Sequence, residues 1–249
     1  EFDPFTRITA RRSIISFATT PDTAHRLHSL GASPVKRLSE SGISEAELNW
    51  LSECPLPTTG RVRFINIARL LHWKGIHLGL QAFAEANLPD AEYWVVGEGP
   101  ELKRLQDLAA HLNITHQVTF WGMLPRDEVL AKLSQCFALV HPSLHDSGGW
   151  VPLEAMATGR PIICLDLGGP SQLVTPDVGI KVPAHHPQQA VADLAVAMNQ
   201  LVRDRAWGLQ LGETGKQKVK TDYTWDAKGK QLADLYQDLV SIPKNKVFS

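Results

Sequence analysis

Asp146 and Glu154 bracket the stretch Ser147-Gly148-Gly149-Trp150-Val151-Pro152-Leu153. Two carboxylates stand either side of a glycine pair and a proline that suits the first position of a helix. Glycines let a backbone approach a ligand closely. The first amides of a helix have no partner of their own and favour an anion. A carboxylate accepts hydrogen bonds from the two hydroxyls of a ribose. The stretch therefore has the parts to hold a sugar that carries a diphosphate. Read singly, the same residues are a glycine turn, a turn aspartate bonded to its own backbone and a helix-start acid.

A second set lies upstream. Ile67-Ala68-Arg69-Leu70-Leu71-His72-Trp73-Lys74-Gly75 leaves a β-branched run and leads into a helical stripe. An arginine fork holds two phosphate oxygens and a lysine supplies a mobile point charge. Together Arg69 and Lys74 could neutralise a diphosphate; otherwise they are a solvated arginine and a helix-start lysine. Gly97-Glu98-Gly99-Pro100 superficially suggests a dinucleotide loop. However, Leu102 occupies the third glycine position and the segment does not follow the first strand of its unit. His141 and His145 flank Pro142-Ser143; His141 reads as the end of a buried strand, with a place at the donor site as the other reading. A metal site would need a third ligand nearby.

These residues need a scaffold that brings loop ends together. Val62–Ile67, Tyr93–Val96, Val118–Trp121, Phe137–His141, Pro161–Leu165 and Gly179–Val182 read as strands. Between them, apolar residues recur at helical spacing: Ile76, Leu80 and Phe83; Leu102, Leu105, Leu108 and Leu112; Val129, Leu130 and Leu133. A short helix runs through Ala157. Alternation of this kind predicts a Rossmann-like parallel sheet with helices on both faces, an α/β fold. Ligands of such sheets sit beyond the carboxyl ends of the strands. Before this body, Ile14–Phe17, Pro21–Leu30 (closed by Gly31) and Val35–Leu38 read as strand, helix and strand, too little for a core of their own. Ser52–Gly60, with two prolines, reads as a linker. Trp225–Leu239 reads as an amphipathic helix with Leu232, Leu235, Tyr236 and Leu239 on its docking face.

The chain has 249 residues, and its 25 Lys and Arg nearly balance 26 Asp and Glu, so no bulk positive field draws nucleic acid. Cys54, Cys136 and Cys164 are far apart and read as reduced thiols of a cytoplasmic protein. No apolar run approaches the roughly 20 residues of a membrane span. The chain does not begin with Met and reads as a fragment of a longer protein.

Taken together, these words resemble the retaining glycosyltransferases of family 4, which have the GT-B fold. Arg69…Lys74-Gly75 resembles that family's R-x4-K-G motif, and Gly97-Glu98-Gly99-Pro100 its G-x-G-P turn. Leu153-Glu154-Ala155-Met156-Ala157, Gly159, Pro161-Ile162 and Gly168-Gly169-Pro170 resemble L-E-A-M-A-x-G-x-P-V-I…G-G. Asp146 and Glu154 fill the E-x7-E frame, with Asp where the family usually has Glu.

The resemblance implies a nucleoside-diphosphate-sugar donor, a hydroxyl acceptor and no divalent cation. It implies that Glu154 binds the ribose, that Arg69 and Lys74 bind the diphosphate, and that Asp146 faces the donor sugar. Amides from Gly148 and Gly149 through Trp150, Val151 and Leu153 would hold phosphates, with Gly97 beside them. Gly122-Met123-Leu124 would flank the base. It further implies that 1–59 is the end of an acceptor domain plus linker, 60–222 the donor domain, and 223–249 a crossover helix and tail. The missing acceptor domain could bring the protein to the inner membrane face. Two other readings stay open: a module that binds nucleotide sugar without catalysis, and another GT-B enzyme such as a sugar-nucleotide epimerase.

Overall fold

The computed structural model describes residues 3–55 and 60–241. The β-branched run Val62–Ile67 alternates its side chains between two layers, which sets the architecture. Val62 and Phe64 point into one apolar cluster, Ile65 and Ile67 into the other.

In chain order the elements are α1 Pro4–Arg12, β1 Ser16–Ala18, α2 Pro21–Leu30, β2 Val35–Arg37, α3 Glu45–Ser52 and β3 Val62–Ile67. After a 3-10 turn at His72–Lys74 come α4 Ile76–Ala86, β4 Ala91–Val96, α5 Leu102–His111, β5 Val118–Gly122, α6 Arg126–Ser134 and β6 Ala138–His141. Then follow α7 Trp150–Ala157, β7 Ile162–Leu165, α8 Pro170–Leu173, β8 Gly179–Val182, α9 Pro187–Arg203, α10 Arg205–Asp222 and α11 Trp225–Ser241.

Six strands form one parallel sheet in the order β5-β4-β3-β6-β7-β8. Helices cover both faces. Leu78, Leu80 and Phe83 of α4, Leu105 of α5 and Leu194, Met198 and Leu201 of α9 fill one layer. Leu48 and Leu51 of α3, Leu130 and Leu133 of α6, Leu153, Ala155, Met156 and Ala157 of α7 and Val219 of α10 fill the other. Each fully buried side chain of this size contributes about 1.5–3 kcal/mol. The Rossmann-like α/β fold expected from the alternation is the one observed. Its strand order reverses between β3 and β6, which opens a crevice at their carboxyl ends.

The N-terminal segment holds a separate two-stranded sheet, β1 with β2. Two helices there were not anticipated. Helix α1 begins with an Asp3 cap and α3 with a Ser44 cap, and both are short. The expected linker from Ser52 begins instead as the last residue of α3, and its middle, 56–59, lies outside the described residues. The N-terminal segment meets α11 through the bridge Ile43↔Thr224 and the hydrogen bond from Lys228 Nζ to the Ser39 carbonyl, 2.6 Å. The docking face of α11 is narrower than expected. Leu235 is buried and Leu232 and Leu239 are half-buried, while Tyr236 is exposed. One residue beyond Leu235 is a turn of about 100°, which carries the tyrosine off the stripe.

Arg160 is fully buried. Its guanidinium donates to the carbonyls of Cys136, Thr158, Ser134 and Pro55, and so fastens the ends of α6 and α7 to the chain before β3.

Candidate donor-binding site

The crevice between β3 and β6 is built by two loops in close contact. Leu144 N donates to Trp73 O at 2.8 Å, and Asn66 Nδ2, buried in β3, donates to Val140 O at 2.9 Å. Gly75 has φ +66°, and a Cβ there would lie 1.9 Å from Pro142 O. Only glycine lets the two loops approach this closely. The 3-10 turn before Gly75 sets Lys74 facing the second loop. Lys74 Nζ donates to Asp146 Oδ2 at 2.8 Å, and His141 Nε2 lies 3.2 Å from the same oxygen. Gly149 N donates to Asp146 Oδ1 at 3.1 Å. Burial would raise the Asp146 carboxyl, but the hydrogen bonds of His141 and Lys74 and the Gly149 amide hold it well below the usual carboxylate range. Asp146 therefore stays ionised and keeps Lys74 in place.

The glycines of Gly168-Gly169-Pro170 pack under this turn. Gly169 N donates to Asp146 O at 2.8 Å, and a Cβ on Gly169 would meet Ser147 O at 2.0 Å. The two glycine words thus support one another in space.

Glu154 is buried and is the fifth residue of α7, a turn farther in than the helix-start position expected of it. Its Oε1 accepts from Arg126 Nη2 at 2.8 Å. Arg126 also pairs with Glu47 of α3. Burial pushes the Glu154 carboxyl up, and Arg126 offsets this only in part because it is shared with a second acid. Sequence spacing gave no sign of Arg126 or Glu47 as neighbours of Glu154. They meet through the packing of α3 and α6 against α7.

Arg69 is exposed and makes no ion pair among the described residues. It lines an apolar cavity of about 230 Å³ together with Val96, Gly97, Met123, Leu124 and Val151. Six of the expected site residues, counting Arg69, Gly97, Met123, Leu124 and Val151 in the wall and Gly122 beside it, therefore converge. Gly122 ends β5 and accepts from Gly97 N at 2.8 Å. Val151 is in the first turn of α7, three residues before Glu154, so the cavity reaches the helix that carries the acid.

The expected row of free amides is shorter than the sequence suggested. Leu153 is fully buried and its N–H already bonds Gly149 O at 3.0 Å, while Gly149 N is held by Asp146. Pro152 has no N–H. Trp150 and Val151 amides have no acceptor among the described residues. The Trp150 ring turns to Trp225 at the start of α11, 6.1 Å between centroids. Gly148 contributes its carbonyl to Ser41 Oγ of the N-terminal segment.

Across the described residues, no helix is long and apolar enough to cross a membrane.

The family model described as glycosyl transferases group 1 matches residues 55–218. Glycogen synthase of Mycobacterium tuberculosis is 27% identical over 199 residues, 79% of this chain and 47% of that protein. D-inositol 3-phosphate glycosyltransferase of Corynebacterium urealyticum is 33% identical over 188 residues, 72% of this chain and 43% of that protein. The chain spans about half the length of these curated relatives. Among solved structures, Anabaena HepE in complex with UDP superimposes with a TM-score of 0.76 at 20% identity, covering 94% of this chain and 66% of that one. Sucrose-phosphate synthase of Thermosynechococcus elongatus gives 0.73 at 23%, covering 95% and 61%. The parallel sheet, its two loop words and the match along 55–218 agree: this chain belongs to the group 1 glycosyl transferases, with a GT-B-type Rossmann-like unit.

Proposed function

We propose that this chain carries the donor half of a retaining glycosyltransferase that moves a sugar from a nucleoside diphosphate to a hydroxyl acceptor without a divalent cation. The observation that carries the reading is the convergence at one crevice of Arg69, which has no ion pair among the described residues, an apolar cavity and the first turn of α7. The cavity takes the base, Glu154 the ribose, and Arg69, Lys74 and the Trp150 and Val151 amides the diphosphate. Negative charge grows on the diphosphate as it leaves. Fixed cations and amides already aimed there stabilise it with little reorganisation. Asp146 orders Lys74 and presents its remaining lone pairs to the donor sugar. The binding of UDP by the structural neighbour HepE supports a nucleoside diphosphate as ligand.

We also propose that 1–59 belongs to the acceptor domain and linker, 60–222 to the donor domain and 223–249 to a crossover helix and tail, in a cytoplasmic enzyme. Helix α3, although within the first span, packs its Leu48 and Leu51 into the donor core. The isolated chain then binds donor without efficient transfer.

Calorimetric titration with UDP and uridine tests the site. Arg69→Ala and Lys74→Ala are each expected to weaken UDP by about 10- to 100-fold, the worth of a charge-assisted hydrogen bond, and uridine hardly at all. Equal losses for both ligands would make the cations structural. Turnover of the full-length enzyme in EDTA checks the metal assignment, and its loss there would refute it.

A further inference from the structure

A second cavity, about 260 Å³, lies where β2, the Ser147-Gly148 turn, Gly169 and α11 meet. It shares no lining residue with the apolar cavity beside Arg69. A water takes about 30 Å³, so the space admits a solute much larger than an ion.

Its wall contains a cation without a counter-ion among the described residues. Lys228 is 5% exposed, and its ammonium makes one hydrogen bond, to Ser39 O at 2.6 Å. The Tyr223 ring lies 5.6 Å away. No carboxylate among the described residues pairs with it. An ammonium has three donors, and a buried charge without a partner is costly. Burial draws the Lys228 pKa down accordingly. Arg37, exposed on the same wall, gives one N–H to Gln172 Oε1 at 2.6 Å and keeps the rest of its fork. The opposite requirement is also present. Asp222 lines the cavity with a carboxylate that forms no ion pair among the described residues, and Gln231 and Ser147 add polar groups. Cations suit a phosphate; a carboxylate, an amide and a hydroxyl suit sugar hydroxyls.

We propose that this seam cavity binds a phosphorylated polyhydroxy compound, with its phosphate on Lys228 and Arg37 and its hydroxyls on Asp222 and Gln231. The ligand would bear directly on the donor site. Ser147 and Gly148 stand between Asp146 and Gly149, whose mutual hydrogen bond shapes the diphosphate turn.

The test uses the 249-residue chain carrying Arg69→Ala and Lys74→Ala, so that the donor cations contribute nothing. Calorimetric titration with glucose 6-phosphate is expected to show saturable binding. Inorganic phosphate should bind at least tenfold more weakly, and glucose should not bind. Adding Arg37→Gln or Lys228→Gln should weaken glucose 6-phosphate at least tenfold. Arg37→Gln alters an exposed side chain, so its result stands if Lys228→Gln perturbs folding, which circular dichroism would show. Absence of saturable heat, or unchanged affinity in Arg37→Gln, would overturn the site. Equal affinities for phosphate and glucose 6-phosphate would overturn the polyol part.

Discussion

Asp146 and Glu154 stand eight residues apart at the two ends of one turn, and their surroundings treat them in opposite ways. Both are largely buried, with side chains 17% and 10% exposed. Asp146 gathers Lys74, His141 and the Gly149 amide and is held well below the usual range. Glu154 has one guanidinium, divided with Glu47, and is pushed up. Burial raises both carboxyls; the several donors at Asp146 outweigh it, and the one guanidinium at the deeper Glu154 does not. The two acids therefore suit different tasks. Asp146 is a fixed anion that holds a cation in place. Glu154 is under-supplied with donors, and ribose hydroxyls would supply them.

The strongest way to break the Asp146 side is Gly75→Ala. A methyl group would collide with Pro142 O and force the two loops apart, so a loss of about 3 kcal/mol or more is expected. Urea unfolding reads this directly; a change within 0.5 kcal/mol, the range of about-neutral surface substitutions, would show that the crevice tolerates separation.

Lys74→Ala should act next most strongly, by about 1–3 kcal/mol at neutral pH, as a buried acceptor loses a charged donor. The sign with pH follows from the lowered Asp146 value. Its contribution is present above the ordinary carboxylate pKa of 3.8 and is lost as pH falls through the folded value. The gap between parent and variant should therefore close on acidification. A gap that widened below pH 4 would contradict the assigned pairing.

Glu154→Gln should have the smallest effect. Exchanging a charged for a neutral acceptor costs about 1 kcal/mol, or roughly fivefold in UDP affinity. Its pH dependence runs the other way. A raised carboxyl binds its proton more readily in the folded chain, so the parent loses stability relative to the variant as pH rises above the ordinary 4.5. Thermal unfolding of both proteins from pH 4 to 8 checks this, and parallel curves would place Glu154 outside a low-dielectric site.

The sheet was legible because period and length agree. Val62–Ile67 and Gly179–Val182 are bounded as their sequences indicate. So were the loop words, since glycines that permit close approach cannot be replaced silently. Other features left little local trace. Helix α1 is short and buries only Ala10, and its two large apolar residues, Phe5 and Ile8, are too few to mark a helix. Arg126 comes to Glu154 across 28 positions, by helix packing rather than by spacing. The amide row was overstated because a helix turns its own N–H groups inward after the first turn, and Leu153 is already within the ladder.

Arg160 limits how this molecule can open. Its four carbonyl acceptors tie Pro55 to the rear of the sheet, with no opposing acid among the described residues. Lysine, with three hydrogens at a single atom, could not span the same four oxygens. A swing of the leading segment cannot pivot at residues around Pro55 while that clamp is closed. Any rotation would fall farther toward the amino end, ahead of both Ser41, held to the Gly148 carbonyl, and Arg37, held to Gln172.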